Sequence, residues 1–388
     1  MRVKSGLDVL VEKDFDVLRG SSVGLLVNQA SVDGGLVHAI RRFREADGFR
    51  LKALFGPQHG IDGHTQDNMI EWSGYEDERL SVPVHSLYGE TRVPTDEMLE
   101  GIDTVVIDLP DVGARYYTFL WTSLLMLEKC CSLGIRVVVL DRPNPINGLS
   151  IEGPLVEEGY ESFVGMYPIP IRHGMTMGEL LTMMYLEKGL KGKLVVVTMK
   201  NWRRSMWFGD TGLPWVMPSP NMPTFDTAVV YPGMCLIEGT ELSEGRGTTR
   251  PFELFGAPYF DSALLEEYMS GVPGLFLRPA SFQPAFQKFA GRLCFGGQLH
   301  VVDRDSFESV YAALRILSFS IRECGGDFRW KKPPYEYEYE KLPIDILFGS
   351  DKPRKALEAG EDPLEIRRSW ISGENEFRKR RQDFLMYQ

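Results

Sequence analysis

The chain has 388 residues, 43% of them hydrophobic, enough for two or three domains at roughly 100–200 residues each. Acidic side chains outnumber basic ones by 54 to 43, leaving a net charge of −11, which argues against a protein that tracks nucleic-acid phosphates with a basic face. Five cysteines, with Cys130 and Cys131 adjacent and no CxxC, exclude a disulfide framework and the usual structural zinc patterns.

Lys4, Asp8 and Glu12 interrupt the N-terminus before a signal-type apolar run forms. The most apolar stretch, Phe119 to Leu127, is far short of the roughly twenty residues that span a bilayer. The expectation is a soluble, cytoplasmic protein without membrane or nucleic-acid partners.

Short apolar runs then alternate with helical patterns. Val23–Val27, Arg50–Phe55, Thr104–Asp108 and Arg136–Asp141 read as strands, and Leu36–Ala46 and Tyr117–Leu133 as helices. Strands without polar alternation, separated by helices, predict a parallel sheet covered on both faces. A helix at Met177–Glu187, with Thr176 and Glu179 forming a capping box, and a strand at Leu194–Met199 continue the pattern. Pro214, Pro218, Pro220 and Pro223 exclude helix and central strand, so this segment is the expected boundary. Beyond it we expect a mixed α+β region. Its strands are placed at Thr227–Tyr231 and Gln298–Val302, and its helices at Ser306–Arg322 and Glu365–Arg381.

In such folds ligands bind beyond the carboxyl ends of the strands. Polar clusters fall there: Asn28-Gln29, Gly56-Pro-Gln-His-Gly60, Asp108-Leu-Pro-Asp111 and Asp141-Arg-Pro-Asn144. No GxGxxG, P-loop or GxSxG motif accompanies them, so neither a phosphate cradle nor a serine elbow is indicated. His59, Asp62, His64 and Asp67 could supply metal ligands from one loop. The same residues could equally satisfy their own glycine-rich backbone.

Arg115 could grip a carboxylate, with Tyr116 or Tyr117 lining a sugar site, or could pair structurally with Asp108 or Asp111. His173, just before the helix cap, reads as structural. Between Ile237 and Pro251, Glu238, Glu241 and Glu244 crowd Arg246 and Arg250 among glycines and threonines. Thr248 or Thr249 could cap a helix started by Pro251. Carboxylates grouped in this way suit glycoside hydrolysis, in which one donates a proton and another stabilises the oxocarbenium-like centre or activates water.

Taken in order, seven blocks resemble one family. They are Leu54–Gly60, Pro83–Gly89, Asp108–Thr118, Asp141–Pro145, Ile151–Pro154, Ser219–Thr224 and Glu238–Thr249. Together they look like the exo-β-N-acetylmuramidases of the NamZ type, formerly a domain of unknown function. The resemblance implies a Rossmann-like parallel sheet over residues 1–224 and a smaller α+β domain over 225–388, with the active site in the cleft between them. It also implies a hydrolase that releases N-acetylmuramic acid from the non-reducing end of peptidoglycan fragments, as in cell-wall recycling, with no metal or organic cofactor. Members can be secreted.

Asn28, His59, Asp62, Asp108, Tyr116, Tyr117, Asp141, Asn144, Asn221 and Glu241 become candidate substrate contacts. Arg115, Arg142, Arg246 or Arg250 could hold the lactyl carboxylate. One departure stands out: the family usually carries its favoured catalytic glutamate where this chain has Gln58. An amide neither donates nor accepts a proton near neutrality.

Glu238 or Glu244 is therefore expected to carry proton transfer, with Asp111, Glu71 and Asp62 as further candidates. Two alternatives remain at this stage: a non-catalytic muropeptide-binding relative, and a metal-dependent hydrolase using His59, Asp62 and His64.

Overall fold

A computed structural model describes residues 1–67, 69–77 and 81–388. Its central feature is a seven-stranded sheet drawn from residues 22–197. The strands are β1 (Ser22–Val27), β2 (Arg50–Gly56), β3 (Tyr75–Asp77), β4 (Val82–Ser86), β5 (Thr104–Asp108) and β6 (Arg136–Leu140). After the small hairpin β7 (Glu152–Leu155) and β8 (Pro170–Arg172), β9 (Leu194–Val197) completes it. The order is β3-β4-β2-β1-β5-β6-β9, parallel throughout except for the edge strand β3.

Alternate side chains of each strand enter opposite layers, as strand geometry requires. On one face Leu25, Val27, Val106 and Val138 meet Leu7 and Leu10 of α1 (Gly6–Glu12) and Phe43 of α2 (Ala39–Glu45). On the other, Leu26, Ile107, Val137 and Val139 join the core that contains α3 (Phe119–Ser132) and α4 (Met177–Glu187). The predicted Thr176–Glu179 capping box is present at the start of α4.

The expected strand at Thr227–Tyr231 is instead the helix α5 (Phe225–Met234). Its β-branched run suggested a strand, but Thr224 accepts from the Thr227 amide and Asp226 occupies the first turn. Burial along most of the segment then favours helix over intrinsic preference. The helix anticipated after Pro251 is likewise absent. Phe252 takes a left-handed φ of 63°, its amide donates to the Glu244 carbonyl at 2.6 Å, and β10 (Leu254–Ala257) follows.

The remainder is a three-stranded antiparallel sheet, β10-β12-β11, with β11 at Leu275–Phe282 and β12 at Cys294–Val301. The helices α6 (Ser262–Met269), α7 (Ser309–Cys324), α8 (Pro343–Phe348) and α9 (Lys352–Glu358) accompany it. The predicted terminal helix is broken in two, α10 (Pro363–Ser369) and α11 (Ile371–Arg380), because the buried Trp370 leaves helical geometry between them.

Several buried bonds tie this region to the first. The Arg115 guanidinium donates to Leu347 O at 2.6 Å. Glu152 accepts from the Val310 amide at 3.1 Å, and Glu374 from the Gly153 amide at 2.9 Å. The proline-rich segment is fastened as well: Asn28 donates to Pro218 O at 2.7 Å and Asn221 to Gln66 O at 2.8 Å.

Candidate active site

The strand β2 ends at Gly56, where any side chain would strike the Trp72 ring at 2.7 Å. The chain then turns sharply through His59, with φ of 69°, and Gly60. This turn buries Gln58 in a cavity that Tyr117, Asn221, Glu238, Arg246, Tyr335 and Glu336 also line. The Gln58 amide is fully engaged. Its Oε1 accepts from Thr118 Oγ1 at 2.7 Å, and its Nε2 donates to Tyr88 Oη at 3.1 Å and Glu336 Oε1 at 3.2 Å.

Glu336, which the sequence did not single out, lines the same cavity. It and Tyr337 are the central pair of a tight turn closed by Tyr335 and Glu338, whose backbones exchange two 2.9 Å hydrogen bonds. Both central residues have positive φ, 44° and 67°, a turn usually built from Asn and Gly. Two non-glycine residues held there carry a backbone cost, as is frequent at functional sites.

The turn places the Glu336 carboxyl in the cavity wall, where Tyr88 Oη donates to Oε2 at 2.8 Å. Burial pushes this carboxyl up to about 7, against the lowering effect of the Tyr88 and Gln58 hydrogen bonds. A usable sequence signal was the run Tyr335-Glu-Tyr-Glu-Tyr339, an unusual mixture of rings and carboxylates.

Glu238 behaves in the opposite way. Burial disfavours its charge, but Arg246 at 2.7 Å and the Tyr335 hydroxyl at 2.6 Å hold it below the usual carboxylate range. Arg246 in turn is raised, despite its own burial, by Glu238 and Glu244. Glu244 does not line the cavity; it engages Arg246 Nε at 3.3 Å and Lys288 Nζ at 2.8 Å. The site thus holds one carboxyl poised to titrate near neutrality and one fixed as an anion, a division of roles that acid–base catalysis uses.

Of the other candidates, His59 and Tyr116 also line this cavity. His59 is pushed down to about 4 by burial and engages Thr65 O at 2.8 Å. Asp62 and His64 are exposed while His59 is buried, so the three do not converge. Among the described residues no group of His, Cys, Asp or Glu is placed to hold a metal. Tyr116 donates its hydroxyl to Pro232 O.

Arg115 pairs with neither Asp108 nor Asp111. It is wholly buried, pushed down to about 10 by desolvation, and donates to Pro154 O, Ile169 O and Leu347 O. Arg142 takes Asp108 instead, in a two-pronged contact of 2.6 and 2.8 Å. Asp111 lies 3.1 Å from the buried His173.

Asp111 and Arg142 line a separate cavity with Ala30, Phe208 and Trp215. That cavity sits beyond β1 and β5, where the strand order reverses. Asp141 caps α4 through Thr176 Oγ1 and the Gly178 amide, while Asn144 braces the Met175 carbonyl and the Ile146 amide. Glu241 and Arg250 are exposed, the latter paired with Glu253.

Family models described as exo-beta-N-acetylmuramidase NamZ, N-terminal and C-terminal, match residues 23–226 and 229–387. The chain belongs to the NamZ family. It is 43% identical, over all of its own length and 92% of the relative's, to the peptidoglycan beta-N-acetylmuramidase NamZ of Bacillus subtilis (strain 168). Crystal structures of two DUF1343 family proteins from Bacteroides fragilis NCTC 9343 superimpose over the whole chain and 99% of each of theirs. Their TM-scores are 0.92 and 0.79, at 32% and 27% identity. This NamZ family member thus has the α/β architecture expected of it, a mostly parallel sheet followed by a smaller antiparallel sheet with helices. Among its described residues no helix is long and apolar enough to cross a membrane.

Proposed function

We propose that the chain hydrolyses the glycosidic bond of a non-reducing terminal N-acetylmuramic acid in peptidoglycan-derived saccharides, with Glu336 as the proton donor. The supporting observation is the Glu336 carboxyl itself, buried in the cavity wall between Tyr88 and Gln58 and shifted to about 7. Protonated, it gives its proton to the leaving oxygen as the bond to the anomeric carbon breaks; afterwards it can accept a proton from the incoming water. Glu238, kept ionised by Arg246, stabilises the positive charge that develops on the sugar. Gln58 transfers no proton in this scheme. Anchored by Thr118, its amide orients Glu336.

Gln58 at the family's glutamate position also supports a second reading, a saccharide binder that does not cleave. Turnover of a chromogenic β-N-acetylmuramide separates the two. The hydrolase reading expects wild-type turnover that survives Gln58→Ala in part and is lost in Glu336→Gln. Turnover seen only after Gln58→Glu would establish the binder.

A further inference from the structure

We propose that Arg92 recognises the carboxylate of the sugar, an inference that rests on the saccharide reading above. N-acetylmuramic acid differs from N-acetylglucosamine by a lactyl ether bearing a carboxylate, so an enzyme that selects it needs a cation free to pair. Arg115, Arg142, Arg246 and Arg250 are already engaged, as is the neighbouring Lys288. Arg246 and Lys288 are balanced by Glu238 and Glu244, Arg142 by Asp108 and Arg250 by Glu253, and Arg115 is sealed among backbone carbonyls. A substrate carboxylate added to that cavity would be an uncompensated negative charge, on a chain whose net charge is already −11.

Arg92 is half-buried and makes no ion pair among the described residues. Its guanidinium lies 3.5 Å from the centroid of the Tyr337 ring and 5.8 Å from that of Phe163. In the chain Tyr337 follows Glu336 and Phe163 precedes Val164, and both Glu336 and Val164 line the cavity. Tyr88, the hydrogen-bond donor to Glu336, meets Tyr337 edge-on at 5.6 Å. A guanidinium lying on a ring keeps its N–H edge for a two-pronged bond to a carboxylate, and its planarity fixes the direction of that bond. Glu71, which the Tyr337 hydroxyl reaches at 3.2 Å, is exposed and forms no ion pair with Arg92. The competing cation is Lys331, 5.3 Å from the Tyr335 ring.

Calorimetric binding of N-acetylmuramic acid and of N-acetylglucosamine to wild type, Arg92→Met, Arg92→Lys and Lys331→Met tests this without depending on catalysis. Wild type is expected to prefer the muramic acid. Arg92→Met should lose roughly 30- to 300-fold in affinity for it with little change for N-acetylglucosamine, and Arg92→Lys should recover only part. Equal weakening of both sugars, no weakening of either, or a selective loss in Lys331→Met instead would overturn the assignment. Turnover of the β-N-acetylmuramide by the same wild-type protein reports separately on the hydrolase reading.

Discussion

Gln58 and Glu336, 278 residues apart in the chain, meet at 3.2 Å with the amide donating to the carboxyl. This contact supplies a donor to one Glu336 oxygen while Tyr88 supplies the other, yet burial still keeps the carboxyl near 7. Glu336→Gln preserves shape and removes the proton. We expect kcat/KM on a β-N-acetylmuramide to fall by about 10²–10⁴ with the melting temperature close to wild type. A collapse of folding would show that Glu336 is structural.

The pH dependence follows from the same group. Donation requires the protonated form, so activity should decline as pH rises through about 7. In Gln58→Glu two carboxyls would face each other at hydrogen-bond distance and could not both ionise cheaply, which raises one of the pair. The alkaline limb of the pH–rate profile should therefore move upward by about one pH unit or more in this variant. An unmoved limb would exclude Glu336 as the titrating acid.

Glu374 offers a pH effect on stability alone. Burial raises it to about 7, against the pull of Arg367 at 3.3 Å and the Gly153 amide. Because the folded state holds this proton more tightly than the unfolded chain, its contribution is complete below about 4.5 and is lost as pH rises through 7. Glu374→Gln should flatten that part of the stability curve, by about 1–3 kcal/mol between pH 5 and 8, measured by denaturant titration at each pH.

Arg115→Met should be severely destabilising. The substitution relieves a buried charge but strands the carbonyls of Pro154, Ile169 and Leu347, which only the guanidinium fork reaches together. At about 1–3 kcal/mol for each unsatisfied group, a loss of about 3 kcal/mol or more in chemical denaturation is expected. A near-neutral result would mean that water replaces the fork.

The parallel sheet was legible because Val23–Val27, Thr104–Asp108 and Arg136–Leu140 are apolar on both faces and close on polar turns, a pattern dictated by their own neighbours. Residues 225–234 were not, because Val229, Val230 and Tyr231 favour a strand locally, while the Thr224 cap and packing against α7 favour the helix. At the site, Gln58 was conspicuous within its turn. Glu336 stands in a run whose rings and carboxylates are visible, but its burial depends on Tyr88 and Gln58 far away in the chain. The arginines were visible as charges, but which acid each one meets is settled by the fold: Arg142 stands across from Asp108, and Arg115 does not.

The buried ties between the sheet region and the helical remainder bear on how the chain comes apart. Glu152 is completed by Val310, Glu374 by Gly153, and Arg115 by Leu347. Each of these bonds is made only while the opposite segment is in place, so local opening on either side breaks bonds on the other. We therefore expect the two sequence-matched portions to share one melting event, with the cavity around Gln58 and Glu336 lost in the same step as the sheet.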